Sequence, residues 1–164
     1  MSTISSRVAM AVHVLAFLAR RRGEAVTSDT IAGSVNTNPV VVRRLMGSLR
    51  NAGLVQVQPG ARGGAQLARE PRDITVLDVY RAVEEKPDLF ALHAEPRGDC
   101  DIGGNIRGVL RGVFCRAHEA MQRELGAVTI ADVFLDVTGR SCCGPHPAHV
   151  EGRPIFDRPT KATI

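Results

Sequence analysis

From Ile4 to Arg22 the apolar residues Ile4, Val8, Ala11, Val12, Leu15, Leu18 and Ala19 return at three- and four-residue steps, which places them on one stripe of a helix. A second, short helix begins at Thr27 or Ser28, either of which can cap exposed backbone N–H groups, and it turns Ile31, Ala32 and Val35 inward. The run Asn36-Thr37-Asn38-Pro39 then breaks the pattern. Asn tolerates the left-handed backbone of a tight turn, and Asn38 can cap a new helix with Pro39 at its first position. That third helix extends from about Pro39 to Asn51, with Val42, Leu45, Met46 and Leu49 as its apolar face and Gly53 as a left-handed stop. Two helices joined by so short a turn must cross steeply, so the pair is a predicted helix-turn-helix.

Beyond it the period changes from that of a helix to that of a strand. Leu54-Val55-Gln56-Val57-Gln58 alternates, Pro59 to Gly64 supplies a glycine-rich tip, and Ala65-Gln66-Leu67 can return as the partner strand of a two-stranded wing. Thr75 and Asp78 form a predicted capping box for a helix that buries Leu77, Val79 or Tyr80, and Val83; Thr129 and Asp132 repeat the signature before Val133, Phe134 and Val137. Between them lies the longest helical pattern, from about Ile102 to Leu125, with Ile106, Val109, Leu110, Val113, Ala117, Ala120, Met121 and Leu125 on one side. A helix on the order of 30 Å long is more than so small a body can cover. Its uncovered stripe predicts a partner, most simply a second copy of the chain. Gly108 and Gly112 add a small-sided strip that another backbone could approach.

Composition narrows the picture. A chain of 164 residues with 44% hydrophobic content builds one core, or one core with a small appendage. No stretch approaches the roughly 18 apolar residues of a membrane span, and Met1 to Arg22 mixes polar and apolar groups unlike a signal peptide, so a cytoplasmic protein away from the membrane is expected. The four cysteines, Cys100, Cys115, Cys142 and Cys143, are too few and too unevenly placed for a disulfide framework and read as free thiols. Residues 1–75 carry ten arginines against four acids, whereas the remainder is slightly acidic. The basic half therefore has reason to approach a polyanion.

The third helix carries the chemistry for such an approach. Its outward candidates are Asn38, Val40, Val41, Arg43 and Arg44. Arg43 or Arg44 can donate two hydrogen bonds to guanine O6 and N7, and Val40 or Val41 can meet a thymine methyl group. Thr37 and Asn38 suit phosphate contact at the helix start. At the wing tip Arg62, beside Gly63, stands among residues small enough to let a narrow structure enter the minor groove. No cysteine-histidine-acid set lies on regular structure and no phosphate-cradling loop is present, so an enzyme is not expected. A protein-interaction module that keeps the winged helix without reading DNA is the competing class, distinguished by a weak dependence on salt.

Three segments, Ala52-Gly53-Leu54-Val55, Gly60-Ala61-Arg62-Gly63-Gly64-Ala65-Gln66-Leu67-Ala68 and Ile74-Thr75-Val76-Leu77-Asp78-Val79-Tyr80-Arg81-Ala82-Val83-Glu84, resemble in order and spacing the Rrf2 family of bacterial transcriptional regulators. The resemblance runs from about Ile4 to Val137. It implies a mainly α fold with a small two-stranded β wing, in which a winged helix-turn-helix is followed by a long C-terminal dimerisation helix. It also implies a homodimeric repressor or activator that presents two reading heads to a palindromic site on double-stranded DNA. Residues 1–85 are then the DNA-binding domain, 86–138 the linker, dimerisation helix and short return helix, and 139–164 a flexible tail.

Two departures from the family pattern stand out. Ala65 occupies a position where the family often has an aromatic residue, which predicts a looser wing. Iron-sulfur members place three closely spaced cysteines at the start of the dimerisation helix; here Cys100 is followed by none until Cys115, and two such thiols cannot hold a cluster without His93, Asp101 or the tail. No cofactor is therefore expected. Cys100, just before a helix N-terminus that favours a thiolate, is a candidate redox-sensing residue. Cys142, Cys143, His146 and His149 crowd soft ligands into the tail but lack the loop of a structural zinc site, so no metal site is assigned to them.

Overall fold

The computed structural model describes residues 6–60, 63–84, 90–93 and 100–139. Helices α1 (Arg7–Arg20), α2 (Ser28–Val35) and α3 (Pro39–Asn51) lead into strands β1 (Val55–Gln58) and β2 (Gly64–Leu67), followed by a 3-10 turn at Pro71–Asp73. Helices α4 (Val76–Val83), α5 (Asp101–Ala127) and α6 (Ile130–Thr138) complete the described fold. The architecture is thus mainly α with a two-stranded antiparallel wing, as the pattern predicts. Ile4, Arg62 and the tail bearing Cys142, Cys143, His146 and His149 lie outside the described residues.

Local chemistry sets the helix ends. Thr27 caps α2 by accepting from the Thr30 N–H, and Asn36 closes that helix in the left-handed region at φ 56°. Asn38 caps α3 by accepting from the Val40 N–H at 2.8 Å, with Pro39 in its first turn. Both predicted capping boxes form, Thr75 with Asp78 and Thr129 with Asp132. The two boxes stand side by side: the Val76 N–H donates to the Val128 carbonyl and the Ile130 N–H to the Ile74 carbonyl, each at 2.9 Å. Helices α4 and α6 therefore start from one clip.

Helix α1 lies at the centre, packed against α2, α3, α4 and α6. Its buried set is Ala11, Val14, Leu15, Leu18 and Ala19, while the predicted Val8 and Val12 are half-buried. Helix α6 returns to this core through Ile130 and Phe134, but Val137, on its expected apolar side, is exposed. Val35 is likewise only half-buried. Its helix ends there, and the left-handed turn at Asn36 carries the chain away from the core.

The wing is anchored more firmly than Ala65 suggests. Ala65 is buried and exchanges two backbone hydrogen bonds with Val26, at 2.8 and 3.0 Å, which adds a third short strand segment to the sheet. A side chain at Gly64 would sit 2.7 Å from the backbone carbon of Ala25 and the nitrogen of Val26. Small residues at 64 and 65 are what let the wing come this close. Gly64→Ala is therefore expected to cost about 1–3 kcal/mol by overpacking against backbone that cannot yield. Chemical denaturation checks this, and an unchanged midpoint would contradict the close approach.

Candidate nucleic-acid interface

Helix α3 has two faces of opposite character. Val42, Leu45, Met46 and Leu49 are buried in the core, which fixes the helix, and the other side is open to solvent. At about 100° per residue Val40, Arg44, Gly47 and Asn51 run down the middle of the open side. Arg43 and Arg50 form one edge, Val41 and Ser48 the other. Val40 and Val41 are 51% and 39% exposed, two apolar groups at the start of the helix that no described residue covers. Asn38 and Thr37 stand at its N-terminus, Asn38 exposed and Thr37 half-buried.

The two predicted arginines are not equivalent. Arg43 leans toward α2, where a guanidinium nitrogen lies 3.8 Å from a carboxylate oxygen of Asp29. Both side chains are well exposed, so the pair contributes less than about 1 kcal/mol and can be exchanged for a phosphate. Arg44, at the centre of the face, has no such ion pair among the described residues. Asp29→Asn frees Arg43 and removes a negative charge next to the approaching polyanion, so duplex affinity is expected to rise about two- to fivefold at low salt. Fluorescence anisotropy at two ionic strengths measures it, and a loss of affinity would show that the pair is needed to aim Arg43.

Arg50 and Asn51 were not among the sequence candidates. Their signal was present as seven-residue steps from Arg43 and Arg44, two turns further along one face. The base of the wing supplies a second basic group. Arg22 pairs with Glu70, Arg69 donates to the Asp73 carbonyl, and Arg21 lines the same depression. At the wing tip Gly63 donates to the Gly60 carbonyl at 2.9 Å, and a side chain there would collide with the Gln58 carbonyl. The hairpin can turn this tightly only with glycine at that position.

Cys100 is the N-cap residue of α5 and is exposed. The backbone N–H groups of Gly103 and then Ile102 hold its thiol below the ordinary value, against a smaller opposing effect of desolvation. Cys115 lies fifteen residues further along the same helix, about 22 Å away along its axis.

Residues 4–136 match the family described as Rrf2, Iron-dependent Transcriptional regulator. YwnA of Bacillus subtilis, whose name places it among the HTH-type transcriptional regulators, is 41% identical over 131 residues, covering 80% of this chain and 96% of YwnA. The HTH-type transcriptional regulator CymR of Bacillus subtilis is 29% identical over 131 residues, 79% of this chain and 88% of CymR. Among solved structures, that of T. potens IscR superimposes with a TM-score of 0.64 at 28% identity, over 84% of this chain and 89% of IscR. The structure of CymR, described as the global cysteine regulator of B. subtilis, gives 0.61 at 26% identity, over 82% and 97%.

The family's description raises iron. Cys100 and Cys115 are too far apart to bind one cluster, and no group of three or more His, Cys, Asp or Glu among the described residues could hold a metal ion. The described residues do not fit an iron centre. Among them, too, no helix is long and apolar enough to cross a membrane.

Proposed function

Because the chain belongs to the Rrf2 family of transcriptional regulators, we propose that it works in the cytoplasm as a homodimer, without catalysis, reading a two-fold-symmetric operator on double-stranded DNA. The observation that carries this reading is α3: one face locked in the core, the other offering Val40, Val41, Arg43 and Arg44 to solvent. Thr37 and Asn38 take phosphates at its start, Arg44 and the valines meet base edges, and Arg43 serves the edge nearest α2. Arg62 with Gly63 takes the minor groove. Residues 1–85 form the reading head and 86–138 the pairing segment, with α6 returning to α1; residues 139–164 are a tail.

Pairing is supported by α5. The helix is 27 residues long, about 40 Å, and its C-terminal part is tied to α4, through Arg81 with Gln122 and Leu77 beside Gly126. Ile102, Val109 and Val113 are 72%, 62% and 43% exposed on one side of it. A second copy of the same helix buries that stripe and sets the spacing of two heads. Selection from a random duplex library with purified protein tests the reading. An enriched inverted repeat supports it, and no enrichment at moderate salt overturns it.

Thiol-redox response is assigned to Cys100, whose exposed, thiolate-favouring position at the start of the pairing helix would turn oxidation into a change in head spacing. Mild peroxide is expected to shift operator affinity on the order of 10-fold in the wild type and not in Cys100→Ser. Equal shifts in both proteins would remove the sensing role.

A further inference from the structure

On the side of α5 away from the exposed stripe, Phe90 and Phe114 stack with ring centroids 4.7 Å apart and planes inclined at 28°. Their rings wall a half-open cavity of about 430 Å³, lined also by Ala91, Leu92, Arg111, Cys115 and His118. At about 100° per residue, Arg111, Phe114, Cys115 and His118 share one side of the helix, and Ile102, Val109 and Val113 share the opposite side. A partner helix seated on the stripe therefore leaves the cavity open.

The lining chemistry is selective. Phe90 is half-exposed, so one ring offers a face that a flat ligand can cover. Among the described residues Arg111 has no hydrogen bond or ion pair, and none of those that line the cavity is an acid. An aromatic wall beside a guanidinium with no partner among the described residues suits a planar ring bearing one carboxylate, which Arg111 can bind with two parallel hydrogen bonds. His118 is held from behind: the Gln122 amide donates to its Nε2, and Gln122 Oε1 accepts from Arg81 of α4 at 3.1 Å. Helix α4 in turn packs against α3 and α1. The cavity wall is thus linked by contact to the helix that supports the reading face.

We propose that this cavity binds a small aromatic monocarboxylate, and that its occupancy adjusts DNA affinity through the His118, Gln122 and Arg81 connection. The effector role rests on the DNA-binding reading above; the binding site does not. A ligand that fits one α4–α5 arrangement better than another shifts the balance between them.

Calorimetric titration of the full chain with phenylacetate, with phenethyl alcohol as its neutral counterpart, tests the site. Phenylacetate is expected to bind once per chain, and phenethyl alcohol at least about 10-fold more weakly. Arg111→Gln should weaken phenylacetate to the level of the alcohol while leaving alcohol binding unchanged. Bound phenylacetate should also slow iodoacetamide alkylation at Cys115 and not at Cys100, which locates the ligand. Absence of both heat and protection with phenylacetate, benzoate and indole-3-acetate up to about 10 mM overturns the site. So does dissociation of the dimer by Arg111→Gln or Phe90→Ala in sedimentation, which assigns this face to a second copy. If phenylacetate binds and protects Cys115 but leaves operator affinity unmoved, the effector role is overturned. Failure to bind any duplex, with protection intact, counts against the DNA reading alone.

Discussion

Replacing Val109 and Val113 together with Glu is expected to yield a folded monomer that no longer holds its operator. Both side chains stand in water in the single chain and neither belongs to the core, so the substitutions remove nothing that holds one subunit together. In a pair of α5 helices the same positions would face their counterparts, and four carboxylates would lose water beside one another, more acids than the one nearby Arg116 of each chain can offset. On the proposed two-fold operator each head alone would bind half a site. Without the linkage that makes the second contact intramolecular, affinity should fall at least about 100-fold. Sedimentation equilibrium reports the association state, circular dichroism the helix content, and anisotropy the operator affinity. A double variant that remains dimeric at normal affinity would place the pairing surface elsewhere.

The parts of the fold legible in the sequence are those where local signals agree. Asn38, Pro39 and Gly53 mark α3 at both ends, and its binary pattern names all four buried residues, because cap chemistry and helical period point to the same boundaries. Helix α1 shows the limit. A one-stripe reading omits Val14, yet this residue is fully buried, since α1 is surrounded by four helices and its covered arc is wider than one stripe. The pairing of Val26 with Ala65 was not legible either, because it joins segments far apart in sequence through backbone groups that carry no residue-type signal.

Candidate-site residues follow the same division. Val40, Val41, Arg43 and Arg44 could be placed on the outer face from periodicity alone, and they are exposed there. What periodicity could not show is the acid beside Arg43, which comes from a neighbouring helix and separates two arginines that look alike in the sequence. The cavity at Phe90 belongs to the same class, since Phe90 and Phe114 meet only through the way the preceding segment lies against α5.

That separation of the arginines leads to a second large effect. Arg44 lies on the midline of the open face, one turn beyond Val40, so an α3 seated in the major groove aims it at base edges while Arg43 and Arg50 flank the backbone. Arg44→Ala is expected to cost about 1–3 kcal/mol on the preferred operator and to relax selection at one base pair, because the lost contact is made only with the correct base. Arg43→Ala should instead weaken all duplexes alike and reduce the salt slope by about one, the signature of a phosphate contact. Neither change touches the core, so thermal stability should stay within about 0.5 kcal/mol of the parent. Repeating the duplex selection with each variant compares base preference directly. Unchanged preference in Arg44→Ala together with altered preference in Arg43→Ala would mean that α3 enters the groove rolled toward α2, with the Asp29 pair opened to release the reading arginine. Unchanged preference in both would take base reading away from this face altogether.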